Sequence, residues 1–580
     1  MNNQPILKKT YNPQIWVGPG ILITLIALTG LISYSNILNN FFLSDDFVLI
    51  ALLKELGPFG LWVNQQHGQS LFFRPVLNLI SFLDYQLWQT QPWGYHLTNL
   101  IFHGLNGLWV GLIARFLTGN LQIDRPFKQF LPYLAGFIFL LLPSHSEPVS
   151  WISARTDVIS TGFGLVSFVT YLSYKHTRRP SWLFLSLSLF LGGLLSKESL
   201  VTYPGLIFLY EGYGLGSRKY QRRIFRTGLI NFAFYLVVLG VYLVLRFWKL
   251  GEWIGGYGED IHLNFNPGQV LQNLVIYPTR TFIPPQFGSN LGLWVILLIG
   301  LILLSISCGI LCIWRRPGSA EIPKLQGFLV LAFGIIVLPA ITVSVSTWDT
   351  QGERYLYFAS AFAAIHLGII LIVLCLNVWP KIQLALVISS GVLLWFGLSL
   401  YQVNQNWRSP PQLSQNILTS VQNLPQDVVL ITSLPDNYRG AYIYRTGLIQ
   451  ALSLLDQSNR FNVQFQREIT DQGIERVGFY TDQIQIIMHH SIDLPDDQVT
   501  AVIQPSNRYQ LQLSNPQTTF LAWKKDPLVT PDYEVIDLRP GQYILQLKNR
   551  ARAKDLVIYS AGELLPLQFS RTAPDDPIKS

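Results

Sequence analysis

The chain has 580 residues, of which 50% are hydrophobic and only 13% charged, and its mean hydropathy is +0.32, which excludes an ordinary soluble protein. The formal net charge of +8 is unevenly distributed: residues 1–404 hold 25 Lys/Arg against 15 Asp/Glu, and the remainder holds 16 against 18. The excess of cations therefore belongs to loops between apolar segments, where it reports topology and gives no reason to expect a nucleic-acid partner.

The hydropathy predicts membrane spans at 15–37, 97–117, 131–147, 156–174, 181–196, 199–211, 227–247, 291–313, 325–347, 355–377 and 382–404, about 11 in all. The first follows Lys8 and Lys9 and lacks a small-residue cleavage site, so it reads as a retained signal anchor. Cys308, Cys312 and Cys375 fall inside spans and read as packing residues rather than a disulfide or metal set. One set of alternate loops carries roughly twice the cations of the other. The bias places the amino terminus in the cytoplasm and the carboxy terminus outside.

Between the first two spans, DDFVLIALLKELGPFGLW and RPVLNLISFLDYQLW have the periodicity of helices lying at a membrane interface. Asp45 and Asp46 stand just after the first span, where SDD is also a sound helix cap. His96, Asn99 and His103 recur at helical spacing, which suits polar helix packing, with His103 the one that reaches toward a site. Pro143 and Pro148 should end the third span early, because proline cannot continue the backbone ladder. From Pro132 to Glu147 a helix then rises only about 24 Å, short of the hydrocarbon thickness. That would sink His145, Glu147, Lys197 and Glu198 below the outer surface, into a cavity at outer-leaflet level.

Arg74, Arg155, Asp157, Arg246, Glu353 and Arg354 are predicted on that same outer side. Local ion pairs, Arg155 with Asp157 and Lys197 with Glu198, are the plainer alternative for four of these charges. His145 with Glu147 leaves a divalent metal open as a cofactor, although no third ligand is evident. GEWIGGYGED, from Gly251 to Asp260, follows no strand and opens no helix, and so reads as an outer loop. After Asn404 the composition turns mixed and polar. DVVLITSLP, RYQLQLSN, TTFLAWKK and QYILQL read as strands, with a helix near Gly447–Leu455. The expected architecture is an all-α polytopic membrane domain over 1–404 and a small extracytoplasmic α/β or mainly β domain over 405–580.

Four stretches occur in order: FFRPVLNLISFLDYQLWQTQPWGYHLTNLIFHGLN, LPSHSEPVSWISARTDVIS, SKESLVTYPGLIFLYE and GERYLYFAS. They resemble the membrane half of the transmembrane O-mannosyltransferases that carry tetratricopeptide repeats, and more broadly the protein mannosyltransferase branch of the GT-C glycosyltransferases. The likeness covers roughly residues 38–360. No 34-residue repeat follows Asn404, a departure that points to a bacterial homologue and leaves the acceptor open.

The resemblance implies transfer of a sugar, mannose by analogy, from a polyprenyl-phosphate donor to a protein, lipid or glycan hydroxyl. It further implies a catalytic acid in the first outer loop, at Asp45 or Asp46, with a slight preference for Asp46. Glu147 is the candidate for a second active-site acid. Arg354, Lys197, Arg246 and Arg155 are candidates for the donor phosphate, Arg354 first because guanidinium suits bidentate phosphate contacts. Arg74, His145, Asp157, Glu198, Glu353 and His103 complete the set. A transporter or flippase of lipid-linked glycans and a non-catalytic membrane scaffold are the rival readings. The transporter would place its charges at mid-membrane rather than on one face, and the scaffold would tolerate loss of Asp45 and Asp46.

Overall fold

The computed structural model describes residues 29–570 apart from several intervening segments, among them 64–71, 214–220, 254–265 and 522–532. Most of the first predicted span, Lys8, Lys9 and nearly all of GEWIGGYGED lie outside the described residues.

Among the described residues six helices are long and apolar enough to cross a membrane, or seven with one bent pair, which makes the chain an integral multi-pass membrane protein. Four of them are Pro92–Thr118, Thr227–Leu250, Leu291–Leu311 and Ser360–Asn377. Their outer faces expose Val237, Val244, Leu303, Ile306 and Ile310, side chains suited to lipid. The larger number expected from hydropathy includes segments that form shorter pieces. Residues 181–196 give the short apolar helix Pro180–Leu194, and 199–211 divide between the 3-10 turn Glu198–Thr202 and the helix Tyr203–Tyr213.

The bent pair is the segment carrying Pro143 and Pro148. Helix Arg125–Leu141 stops, and Pro143–Ser150 turns away by 57°. The missing proline N–H groups account for the break. Ser144 through Ser150 are consequently buried inside the bundle.

Both amphipathic stretches of the first loop are helices, Asp45–Val63 and Pro75–Trp88. The former breaks at Gly57 (φ +64), immediately before Pro58.

The region after Asn423 is rich in strands. Val429–Ile431 lies between Leu556–Ser560 and Ile484–Ile486, parallel to both, and Glu563–Pro566 closes one edge. A second sheet holds the hairpin Leu434–Tyr438/Ala441–Tyr442, and a third joins Arg508–Leu513 to Val499–Gln504 and Gln542–Leu547. The expected helix is Leu448–Leu455.

The hairpin turn is Arg439–Gly440, with φ of +50 and +89, the two left-handed residues that a tight type I′ loop requires. This region packs directly on the first loop. Phe42, Phe47, Ile50, Tyr95 and Ile152 share one apolar cluster with Ile417, Val429, Tyr444 and Leu448. Phe47 stacks on Tyr444 with ring centroids 5.8 Å apart.

Gly447 seals that contact. Its φ is +93, and a Cβ there would stand 2.4 Å from the Ser44 carbonyl oxygen. Gly447→Ala is expected to cost at least about 1–2 kcal/mol from the left-handed backbone alone. The clash adds to this, so the variant should show a lower unfolding temperature and faster proteolysis of the carboxy-terminal region.

Candidate active site

The site begins at a strained residue. Ser44 has φ +40, outside the usual range for an L-residue. Its amide donates to Ile443 O at 2.9 Å, and its hydroxyl lies 3.2 Å from Thr446 Oγ1. The helix that starts at Asp45 then sends its first two side chains in different directions.

Asp46 turns inward and is 2% exposed. Its Oδ2 accepts from the Leu43 amide at 3.0 Å, the backward reach of a capping residue. Its Oδ1 accepts from the Ser153 amide at 2.8 Å and from the Ser153 hydroxyl. Asp45 is exposed, and its Oδ1 accepts from the Thr446 hydroxyl at 2.8 Å.

Burial raises the Asp46 carboxyl to about 7, against the opposing hydrogen bonds from Ser153 and Leu43. An unfolded aspartate titrates near about 4, so the folded chain retains a proton that the unfolded chain has already released. The stability contributed by this group is therefore greatest below about pH 4 and falls as pH rises toward the folded value. Unfolding temperatures measured across that window should decline less steeply in Asp46→Asn than in wild type.

The remaining charges pair across the fold rather than with their sequence neighbours. Arg155 bonds Asp84 at 2.5 Å and Lys197 bonds Asp157 at 2.5 Å, which corrects the local Arg155–Asp157 alternative. Arg74 bonds Glu198 at 2.6 Å, which corrects Lys197–Glu198. Burial opposes ionisation of Glu198, but the Arg74 guanidinium outweighs it and holds the carboxyl down at about 2. Arg246 is 3% exposed, and Tyr242 lies within electrostatic reach of it, of Glu198 and of Arg74.

GERYLYF divides its adjacent charges between two helical segments. Arg354 gives its amide to Glu147 Oε2 at 2.9 Å and its guanidinium to Glu147 Oε1. Glu353 accepts from Arg280 at 2.5 Å and from the Glu147 amide at 3.3 Å. Arg354 and Glu147 are thus joined to Glu353 and Arg280 in one chain of contacts. The short bent segment makes this chain feasible by lowering Glu147 to the level of the Glu353–Arg354 turn.

A row of cations and rings extends from here. Lys197 Nζ lies 5.6 Å from the Tyr355 ring, and the Arg354 guanidinium lies 4.8 Å from Tyr355 and 5.4 Å from Trp151. Trp151 meets Tyr442 edge-on at 5.5 Å, and the Arg445 guanidinium lies 4.9 Å from Tyr442. Lys197 and Arg354, two of the phosphate candidates, therefore flank one tyrosine.

His145 and His103 make a separate set of contacts. His145 Nε2 is 2.8 Å from Ser360 Oγ, and its ring packs 4.5 Å from Tyr357. His103 Nε2 faces Leu140 O at 3.2 Å and so donates, leaving Nδ1 to accept from the Tyr357 hydroxyl at 2.7 Å. Both histidines are buried, 0% and 1% exposed. Among the described residues no group of three His, Cys, Asp or Glu is arranged to hold a metal. A shallow, open apolar groove borders the 3-10 turn Glu198–Thr202, lined by Thr202, Pro204, Phe208, Phe232 and Leu236 among others.

Sequence reasoning did not nominate Asp84, Arg280, Trp151, Tyr355, Tyr442 or Arg445. Asp84 had a signal, as a lone acid on an apolar helix face, and Arg280 had one as an isolated outer cation. Arg445 had none, since it is one of many charges in a polar region.

This is a multi-pass membrane protein whose strand-rich carboxy-terminal region closes over a charged seam at one end of the bundle. No protein-family model matches the chain. It is similar to protein O-mannosyl-transferases: to tmtc2 of Xenopus laevis at 27% identity over 273 residues, 43% of this chain and 31% of that protein. It is also similar to TMTC4 of Mus musculus, at 23% identity over 461 residues, 68% of this chain and 61% of that protein. The chain thus spans less than two thirds of either relative.

Among solved structures, ArnT from Cupriavidus metallidurans bound to undecaprenyl phosphate aligns at 12% identity with a TM-score of 0.42, covering 76% of this chain and 88% of that one. The Archaeoglobus fulgidus oligosaccharyltransferase AglB, in complex with an inhibitory peptide and a dolichol-phosphate, aligns at 12% identity with a TM-score of 0.43, covering 70% and 58%.

Proposed function

We propose that the chain is an integral-membrane glycosyltransferase that moves a sugar, mannose first among candidates, from a polyprenyl-phosphate donor to a hydroxyl acceptor on the extracytoplasmic side. Residues 1–404 form its membrane glycosyltransferase unit and 405–580 a second unit outside. The observation that carries the reading is the split between the two aspartates: Asp46 is enclosed by three donors, whereas Asp45 is exposed and held by the Thr446 hydroxyl. The similarity to protein O-mannosyl-transferases supports the reaction class.

Asp45 is the general base. It takes the acceptor hydroxyl proton as that oxygen bonds to the anomeric carbon, and the carbon–oxygen bond to the lipid phosphate breaks with its electron pair staying on phosphate. The charge gained by the leaving phosphate is met by Arg354 and Lys197. Glu147 fixes Arg354 rather than moving a proton. The open apolar groove at Thr202 is a place for the polyprenyl tail.

The test uses purified full-length protein with a panel of polyprenyl-phosphate sugars and Ser/Thr peptide, lipid and glycan acceptors. Wild type is expected to release sugar from at least one donor. Full turnover by a folded Asp45→Asn variant would overturn the base assignment.

A further inference from the structure

The backbone on either side of Asp45 is clamped. On one side the Ser44 amide donates to Ile443 O at 2.9 Å, and a Cβ on Gly447 would stand 2.4 Å from the Ser44 carbonyl oxygen, so residues 443–447 lie flush against Ser44. On the other side Asp46 is tied to the Leu43 and Ser153 amides at 3.0 and 2.8 Å. The exposed Asp45 side chain has a single hold among the described residues, the Thr446 hydroxyl, which donates to Oδ1 at 2.8 Å. We propose that Thr446, from the carboxy-terminal region, is the positioning residue for the general base. The proposal rests on the glycosyltransferase reading and on Asp45 as its base.

The hydrogens around Thr446 have one consistent arrangement. A carboxylate only accepts, so the single Thr446 hydroxyl hydrogen goes to Asp45 Oδ1. The Ser44 hydroxyl, 3.2 Å from Thr446 Oγ1, must then donate to it. Ser44 Oγ in turn accepts from the Thr446 amide at 3.2 Å. Ser44 is 0% exposed and held at φ +40, so the far end of this set is fixed by the fold rather than by solvent.

The consequence for the reaction lies in the rotamer of Asp45. An exposed aspartate otherwise samples three staggered χ1 wells. The bond from Thr446 occupies Oδ1 and selects the well in which that oxygen faces the strap, leaving Oδ2 for the acceptor. In the transfer, Oδ2 takes the acceptor hydroxyl proton as that oxygen bonds to the anomeric carbon. The carbon–oxygen bond to the lipid phosphate breaks with its electron pair staying on phosphate. Thr446 keeps its own proton throughout and acts only through Asp45. The carboxy-terminal region is then part of the catalytic apparatus and more than a cover.

Turnover of the purified full-length protein, with a donor and acceptor that wild type uses, tests this. Thr446→Val keeps the shape and the amide but removes the hydroxyl. It is expected to lower kcat per folded molecule by about tenfold and to leave the KM for donor unchanged. Thr446→Ser, which restores the hydroxyl, should recover most of the loss. In an Asp45→Asn background Thr446→Val should cause no further loss, because no base remains to be positioned. Wild-type kcat in Thr446→Val, an equal loss in Thr446→Ser, or the same tenfold loss in the Asp45→Asn background would each overturn the inference and leave the glycosyltransferase reading standing. Full turnover by Asp45→Asn alone would remove the base assignment and the inference with it.

Discussion

Replacing Asp45 with Asn is expected to lower sugar transfer by roughly 10²–10⁴-fold, the usual worth of a positioned general base. Stability should change by no more than about 0.5 kcal/mol, because the side chain is exposed and makes one hydrogen bond, to Thr446. Asp46→Asn should behave in the opposite way. An amide offers one acceptor oxygen where the carboxylate offers two, so the Leu43 or the Ser153 amide is left facing an NH2 group. An unsatisfied buried donor costs about 1–3 kcal/mol. Turnover per folded molecule should then fall far less in Asp46→Asn than in Asp45→Asn. Turnover measured beside thermal unfolding for both variants separates the roles, and an intact but inactive Asp46→Asn with an active Asp45→Asn would assign the base to Asp46.

Arg280→Met is expected to be the most destabilising single change among the charged residues of the seam. Both side chains of the Arg280–Glu353 pair are 0% exposed. Arg280 also donates to Ser346 O at 3.0 Å and to Ile283 O at 2.6 Å. Removing it leaves a buried carboxylate and two carbonyls without these donors, a loss of about 3–5 kcal/mol by comparison with other broken buried pairs. Glu353→Gln in the same chain should recover part of that loss, because no uncompensated charge then remains. Unfolding of the two single variants and the double variant gives the coupling energy, and independent, additive losses would argue against the pair. Since the turn that holds Glu353 also holds Arg354, the single variant should raise the KM for donor as well.

Much of the architecture was legible in the residues. The break after Leu141 followed from Pro143 and Pro148, the two first-loop helices from their periodicity, and the strands from 429 onward from short alternating runs. These are local properties, set by backbone chemistry and by which face of an element must be apolar. Hydropathy was less informative where a polar segment is buried in protein. The Ser146 and Ser150 hydroxyls both donate to Asn404 Oδ1 inside the bundle, and Ser167 bonds Ser186 between neighbouring helices. A window average registers such groups only as reduced apolarity, whatever their partners.

The sequence by itself determined that this is a membrane protein, that Asp45 and Asp46 stand together, and that Arg354 and Glu147 merit attention. The tertiary structure decided which charge meets which. Glu353 and Arg354 are neighbours in the chain yet serve Arg280 and Glu147, and Lys197 and Glu198 likewise part to Asp157 and Arg74. Successive residues of a turn point in different directions, so adjacency in sequence says little about pairing. It also decided that Asp46 is enclosed and Asp45 open, and that Arg445 stands beside Tyr442 at the end of the row. Arg445 and Tyr442 are near neighbours in the chain, but the contacts Asp46–Ser153, Gln351–Tyr442 and Asp45–Thr446 span 107, 91 and 401 residues, and no local pattern encodes those.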